Sequence, residues 1–507
     1  MHTQLLSLRN IKTIAGFKSA LTAYITAVFT LDLRALAALR IATAATLLID
    51  LFIRMSNVRA HYTDQGVLPL EALLKFGWSP YMFSVYNMAT GIEFQLILML
   101  INVACICCLL IGYRTKLFTF ICWIFLLSIH NRNPLVHQGA DDLLRMLLFW
   151  GMFLPWGYYY SLDSRQLFNS VNKPVNYLAF AGAVYIFQVM FVYVFSALQK
   201  TGPEWTTEYT ALYYAFSLDQ IALPFSKYLY PYPLLLKVIT AVVYYLELIF
   251  PLILIIPFYN SRLRVVFFAV ILSLHIGIAL CLNVGLFPLV ATVAMVGLLP
   301  GNFIAYVVGL INKFTKDIQS EFSKRFPAPA IKKVYVPREK LIPMAMVILF
   351  FTYVVANNEE TIGRHSVISQ TFNQAGLALR LQQNWGMFAP AVFKDDGWFV
   401  LSGKTANGNM IDLARDGAPV TFRKPEYIAG MSTYREDRWR KYHENILFIN
   451  KSMYRGYYCN YLMNVWNETH DREQSISSLK IYYMKEISQP DYKRIAPTKE
   501  ELCGCGN

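Results

Sequence analysis

Apolar residues in this chain gather into runs longer than a strand or the buried stripe of a core helix requires. They cover about residues 33–53, 92–111, a stretch ending near 129, one ending near 160, 176–199, 234–258, the stretch around His275, one ending near 311, and 341–356. At 1.5 Å per helical residue, runs of this kind match the roughly 30 Å hydrocarbon core of a bilayer. The pattern predicts an all-α polytopic membrane domain of about nine transmembrane helices over residues 33–356. Residues 1–32, with Lys18 among alanines and aromatics, read as an N-terminal cytoplasmic or interfacial segment. From about Glu359 the pattern changes to that of a water-soluble fold. Trp398–Thr405 and Asn409–Leu413 flank Ala406-Asn407-Gly408, whose Asn-Gly pair signals a hairpin. Tyr434–Phe448 and Met453–Trp466 have the spacing of aromatic-rich amphipathic helices, and Leu479–Ile487 reads as another strand. Residues 357–507 are therefore expected to form a small extracytoplasmic α+β domain, entered through the apolar segment Gln383–Pro390.

Composition agrees with a membrane protein: 56% of the 507 residues are hydrophobic and only 15% charged. The excess of 46 basic over 32 acidic residues, +14, is first a topology signal. Gly112–Lys116, Asn260–Arg264 and Asn312–Lys340 are the basic loops, and placing them in the cytoplasm puts the N-terminus inside and the C-terminal domain outside. The segments around Asp64, Asp141, Lys200 and Asn283 then share the external face with the tail. No clustered basic face points to nucleic acid, so the partner implied is the lipid bilayer. The N-terminus lacks a short apolar core followed by a small-residue cleavage site, so the first span is expected to act as the insertion signal. Arg34, Arg40, Asp50 and Arg54 lie towards the ends of that span, where charges can snorkel. Intramembrane cysteines read as packing residues. For Cys503 and Cys505 a disulfide, a metal remnant and no role at all stay open.

The candidate chemistry centres on Lys200. Its helix should stop at Thr201–Pro203, because Pro203 lacks an N–H and disfavours helical geometry before it. The amine is either a snorkelling anchor or, in a dry pocket, a base. Glu247 lies mid-span, where a carboxylate must be protonated, paired or wetted, and His275 is similarly deep. Asp141 and Asp142 at the start of a helix fit N-capping. Together with His130 and His137 they match no compact metal-ligand spacing, so no metal is expected. No phosphate loop, dinucleotide fingerprint, nucleophile elbow or zincin motif is present.

Five ordered segments carry a resemblance: RAHYTDQGVLP (Arg59–Pro69), NRNPLVHQGADDLLRMLLFW (Asn131–Trp150), SALQKTGPEW (Ser196–Trp205) followed by Tyr213–Ser217, the stretch His275–Phe287, and NWGMFAP (Asn384–Pro390). The chain resembles the vitamin K-dependent γ-carboxylase-like family, including bacterial proteins with a horizontally transferred transmembrane domain. Glu436–Tyr442 is similar to bacterial members too. The resemblance implies a membrane enzyme using a reduced vitamin K-type quinone, O2 and CO2 on a secreted peptide glutamate or similar carboxylate. It implies Lys200 as the base that deprotonates the quinol, with His275 and Glu247 as catalytic partners and Asn131, Asp141, Asp142, Trp205 and Asn283 as supporting or substrate-binding residues. The quinone-binding residues are not assigned. One departure stands out: where the animal enzyme has an Asn-His pair, this chain reads Gly139-Ala-Asp-Asp142. That bears on carbon dioxide handling and leaves quinol activation untouched. Two other readings stay open: a quinol-linked oxidoreductase or peptide-maturation factor without carboxylation, and a non-catalytic binding or transport scaffold.

Overall fold

The computed structural model describes residues 14–167, 175–310, 340–365, 368–426, 428, 436–490, 493 and 495–506. The basic linker expected at Asn312–Lys340 lies almost wholly outside them. The membrane part is built from α1 (Leu33–Met55), α2 (Ile92–Ile111), α3 (Thr115–Arg132), α4 (Gly139–Gly151), α5 (Phe180–Gln199), α6 (Pro233–Ile249, continued by a 3-10 stretch to Ile255), α7 (Asn260–Cys281), α8 (Phe287–Val296), α9 (Gly301–Leu310) and α10 (Leu341–Thr361). Six of these, α1, α2, α5, α6, α7 and α10, are long and apolar enough to cross a membrane.

Nine spans were expected, and the structure shows why the count falls among the described residues. The third run, α3, is 18 residues long but carries Lys116 at one end and His130-Asn131-Arg132 at the other. The fourth, α4, has 13 residues and so reaches only about 20 Å. The eighth is broken into α8 and α9, bent by 113°, and would make a seventh span only if the pair counts as one.

The charges of α1 do not snorkel. Arg40, Asp50 and Arg54 are buried: Arg40 donates to the carbonyls of Leu109 and Tyr160, and Arg54 binds Asp50 Oδ2 at 2.8 Å. Only Arg34, bonded to Asp32, stays partly exposed at the helix start.

The C-terminal part contains a five-stranded antiparallel sheet in the order β3-β2-β1-β4-β5, formed by β1 (Asp395–Thr405), β2 (Met410–Asp412), β3 (Ala418–Pro419), β4 (Ile476–Ile487) and β5 (Thr498–Gly506). The hairpin falls where the Asn-Gly pair stands, with Gly408 at φ +85°. Helices α11 (Asp437–Leu447) and α12 (Arg455–Thr469) complete the unit, and a Cys459–Cys505 disulfide ties α12 to β5. Its apolar core also takes in Val67, Leu68, Ala72 and Leu73 from the segment between α1 and α2, and Leu135 and Val136 before α4. Residues from the membrane part thus build the domain that caps it.

Two features fasten that cap. Arg438, at the start of α11 and 3% exposed, donates to Asp50 Oδ1 at 2.5 Å and Asp141 at 2.5 and 2.8 Å, and its NH1 also reaches the carbonyl of Val136. Secondly, Gln383–Pro390 crosses the end of α5 as a strap. Gly202 N–H donates to the carbonyl of Pro390 at 2.8 Å, and a Cβ at Gly202 would lie 2.8 Å from that of Ala391. The strap therefore requires the Gly that follows Thr201.

Candidate functional site

Lys200 is the residue after α5, with φ −79° and ψ 75°, so the chain turns out of the helix there. Pro203 opens the next short helix, in keeping with its missing donor. The Lys200 side chain is only 4% exposed: its ammonium pairs with Glu247 and sits 4.5 Å from the centroid of the Trp205 ring. Trp205 is fixed in turn by its Nε1–H, which donates to the strap carbonyl of Phe388 at 2.9 Å. Two motifs separated by more than 180 residues meet in that bond.

A polar line continues from this pair into the bundle. Tyr193, Ser196 and Lys200 follow one another at three- and four-residue spacing on one side of α5. Ser196 Oγ donates to Glu247 Oε2 at 3.3 Å, and Tyr193 Oη is 3.0 Å from His275 Nε2. His275 is 3% exposed, lies against Phe287, and has no partner at Nδ1. The three candidate catalytic residues therefore occupy one tract on α5, α6 and α7 as two hydrogen-bonded groups, Lys200–Glu247–Ser196 and Tyr193–His275, on neighbouring turns of α5. The face of α6 opposite Glu247 exposes Leu234, Leu235, Val238, Val242, Tyr245 and Ile249, an apolar surface suited to lipid, so α6 itself stands between that surface and the tract.

On the other side of the strap, a cavity of about 490 Å³ opens between the membrane helices and the C-terminal domain. Phe388 and Phe287, which contact Trp205 and His275, form part of its wall. Other walls come from His137–Gly139 and Asp142, from Gln220 and Val284, and from Asp396 and Arg440. Four lining residues turn up a buried polar atom without a hydrogen-bond partner: His137 Nδ1, Gln138 Nε2, Trp385 Nε1 and Asp396 Oδ1. Such a set suits a polar ligand that both donates and accepts. His137 Nε2 is 2.8 Å from Asp142 Oδ1, and Arg145 holds the same oxygen at 2.5 Å. Burial pushes His137 below the usual imidazole range, so its neutral ring donates from Nε2 to Asp142 and leaves Nδ1 as an acceptor.

Asp141 does something different. Its Oδ2 accepts the Gln138 N–H at 2.9 Å, the capping expected of it, while its two oxygens also bind Arg54 and Arg438. His130 Nε2 and His137 Nδ1 each lie 3.5 Å from it, and the three ligand atoms fall within 4.8 Å of one another. The donor set nevertheless fits a metal poorly. The carboxylate is saturated by two guanidinium groups, and Arg145 NH1 lies 3.3 Å from His130 Nδ1, favouring the tautomer with its proton on Nε2. This centre is an ion-pair lock between bundle and cap.

The remaining candidates are scattered. Asn131 bridges the carbonyl of Phe83 and the guanidinium of Arg380, away from the Lys200 tract. Asn283 is half-buried and its backbone N–H bonds the carbonyl of Ile221; its neighbour Val284, not Asn283, lines the cavity. Asp64 is half-exposed, caps the turn at Leu70 and does not reach the cavity. Sequence reasoning missed Arg438 as a site organiser, the buried Gln188–Gln383 pair at 2.8 Å that seats the strap, and Asp396. Only Asp50 and Arg54 carried a readable signal for the lock, opposite charges four residues apart near a helix end.

Asp396 makes the cap sensitive to pH. Burial, with Asp219 beside it, pushes its carboxyl up to about 7. A raised carboxyl favours the folded state in its protonated form. Its stabilising contribution is complete below about pH 4, declines as pH rises towards 7 and then stays flat. Asp396→Asn should therefore gain melting temperature relative to wild type between pH 5 and pH 8, with a ceiling of about 3 kcal/mol over that range. Thermal unfolding in detergent at both pH values reads this; a difference independent of pH would contradict it.

The chain matches no family model, no characterised protein and no solved structure.

Proposed function

We propose that this chain is a quinol-dependent membrane enzyme of the vitamin K-dependent γ-carboxylase-like kind, with Lys200 as its base. The observation that carries the reading is the buried Lys200–Glu247 pair under the Trp205 ring. An anchoring lysine would hold its ammonium in water, and Lys200 is 4% exposed. In a dry site an ammonium–carboxylate pair lies one proton transfer from a neutral amine and acid, and low dielectric narrows the gap between the two forms.

The surroundings fit a reduced quinone: an aromatic ring over the amine, a carboxylate to receive a proton, and an apolar surface on the far face of the helix that carries that carboxylate. With O2, such a quinol supplies the base for proton abstraction from a peptide glutamate or similar carboxylate and CO2 addition, ending as quinone epoxide and water. Lys200 accepts the hydroquinone proton, and Glu247 and Ser196 hold the amine towards it. Tyr193 and His275 form a second polar pair one helical turn deeper on α5. Trp205 and the strap close the tract to water. The cavity on the far side of Phe388 and Phe287 receives the acidic substrate, with Gln138 and Trp385 as donors to it. With the bent α8–α9 pair counted as a seventh span, the Cys459–Cys505 disulfide and the basic loops support a multi-pass arrangement with the cap outside and the N-terminus in the cytoplasm.

A second reading, quinol oxidation without carboxylation, draws on Asp141 and Asp142. Both are engaged by arginines where the family has an Asn-His pair. Purified protein given reduced quinone, O2 and labelled bicarbonate separates the two. Epoxide with fixed label is the expected result, epoxide alone selects the oxidoreductase, and neither product rejects both.

A further inference from the structure

The end of α5 opposite Lys200 carries a second cavity, of about 560 Å³. It is enclosed by Thr26 and Thr30, by Asp32 and Arg34, by the first residues of α7 (Asn260 and Ser261) and of α9 (Gly301 and Asn302), and by Arg264. Its charges do not balance. Asp32 is spoken for, because Arg34 binds both its oxygens, at 3.0 and 2.8 Å. Arg264 is different. It is 6% exposed, its NH1 and NH2 bond only the carbonyls of Thr30 and Val28, at 3.0 and 2.6 Å, and its Nε has no partner. Among the described residues no carboxylate pairs with it. A buried cation without a counter-charge is unfavourable by several kcal/mol unless an anion is bound.

Helix geometry adds to the same demand. The starts of α7 and α9 both open into the cavity, and the first N–H groups of a helix are unsatisfied donors at the positive end of its dipole. Asp32 lies against Gly301 and occupies the α9 end, which leaves the α7 end and Arg264 for a ligand. Leu178, which lines the cavity, and Ile25 and Phe303, next in sequence to the lining residues Thr26 and Asn302, are exposed apolar side chains on which acyl chains can rest.

We propose that this cavity binds a phosphate group through Arg264 and the N-terminus of α7, at a site separate from the Lys200 tract. The group belongs to the headgroup of an anionic phospholipid or to a soluble phosphate, and the two sources share this recognition chemistry. The Arg264 guanidinium supplies the positive charge facing the phosphate, and the Asn260 and Ser261 N–H groups bind its oxygens.

The full chain in neutral detergent is titrated with short-chain phosphatidylglycerol, with phosphatidylcholine of the same chain length, and with inorganic phosphate, following the melting temperature. A saturable rise with phosphatidylglycerol alone assigns a lipid headgroup, and an equal rise with inorganic phosphate assigns the soluble anion. Arg264→Gln is expected to weaken half-saturation by about tenfold or more, as loss of a charged hydrogen bond would. Because that residue is buried, Ser261→Asp at an exposed position supplies the second variant. It should fold as wild type and lose the response by filling the site with its own carboxylate. No saturable shift from either phosphate source, an equal shift with phosphatidylcholine, or an unchanged response in Ser261→Asp would overturn the proposal.

Discussion

Replacing Lys200 by arginine is expected to reduce quinone epoxidation by about 10²- to 10⁴-fold, the usual contribution of a positioned acid–base group. Alanine should do the same. The arginine variant is the sharper of the two because it keeps the charge facing Glu247 and a cation near the Trp205 ring, yet a guanidinium stays protonated and cannot accept a proton. If the side chain only anchors the end of α5, arginine retains activity and alanine costs little. Glu247→Gln completes the set: it removes the counter-charge but keeps a hydrogen-bond partner for Ser196, and should lower turnover while leaving the fold intact. Epoxide formation by purified variants, normalised to folded protein, is the measurement. Activity within threefold of wild type in Lys200→Arg rules out the base assignment.

Arg438→Met should be the most damaging substitution outside the Lys200 tract, by about 3–5 kcal/mol. Arg54 and Arg438 face Asp50 and Asp141 as two cations against two anions, all buried. Removing one guanidinium leaves an uncompensated carboxylate in a site closed to water. The same reasoning predicts strong non-additivity: Arg438→Met with Asp141→Asn restores neutrality and should be less destabilised than the sum of the single variants. Thermal unfolding, with limited proteolysis to report release of the cap, tests both claims. Additive effects of the two substitutions would show that the charges do not act as a unit.

The order of these effects reflects what holds the site together. The Lys200 tract needs Trp205 over the amine, Trp205 needs the strap carbonyl of Phe388, and the strap leads into a cap held down by Arg438. A change at Arg438 should therefore reach Lys200 without touching it, a coupling carried by packed and hydrogen-bonded groups.

Parts of this were legible in the sequence because they rest on local rules. Long apolar runs give helices wherever they occur, the Asn407-Gly408 pair turns a hairpin, and Pro203 opens a new helix just past the end of α5, where its missing N–H is not needed. Nine spans were expected because hydropathy sums over a window and does not register that α4 stops at 13 residues or that α8 and α9 meet at 113°. Those are decisions of packing, since a short helix surrounded by protein need not reach both faces of a bilayer.

By itself the sequence determined a helical membrane protein with a soluble C-terminal unit, and it marked Lys200, Glu247 and His275 as polar groups in apolar surroundings. Only the tertiary structure decided which of them meet. Glu247 is 47 residues from Lys200, Tyr193 is 82 from His275, and Asp50 is 388 from Arg438. Buried charge must find a partner, but burial is a property of neighbours on other helices, so the identity of that partner appears only when the chain is folded.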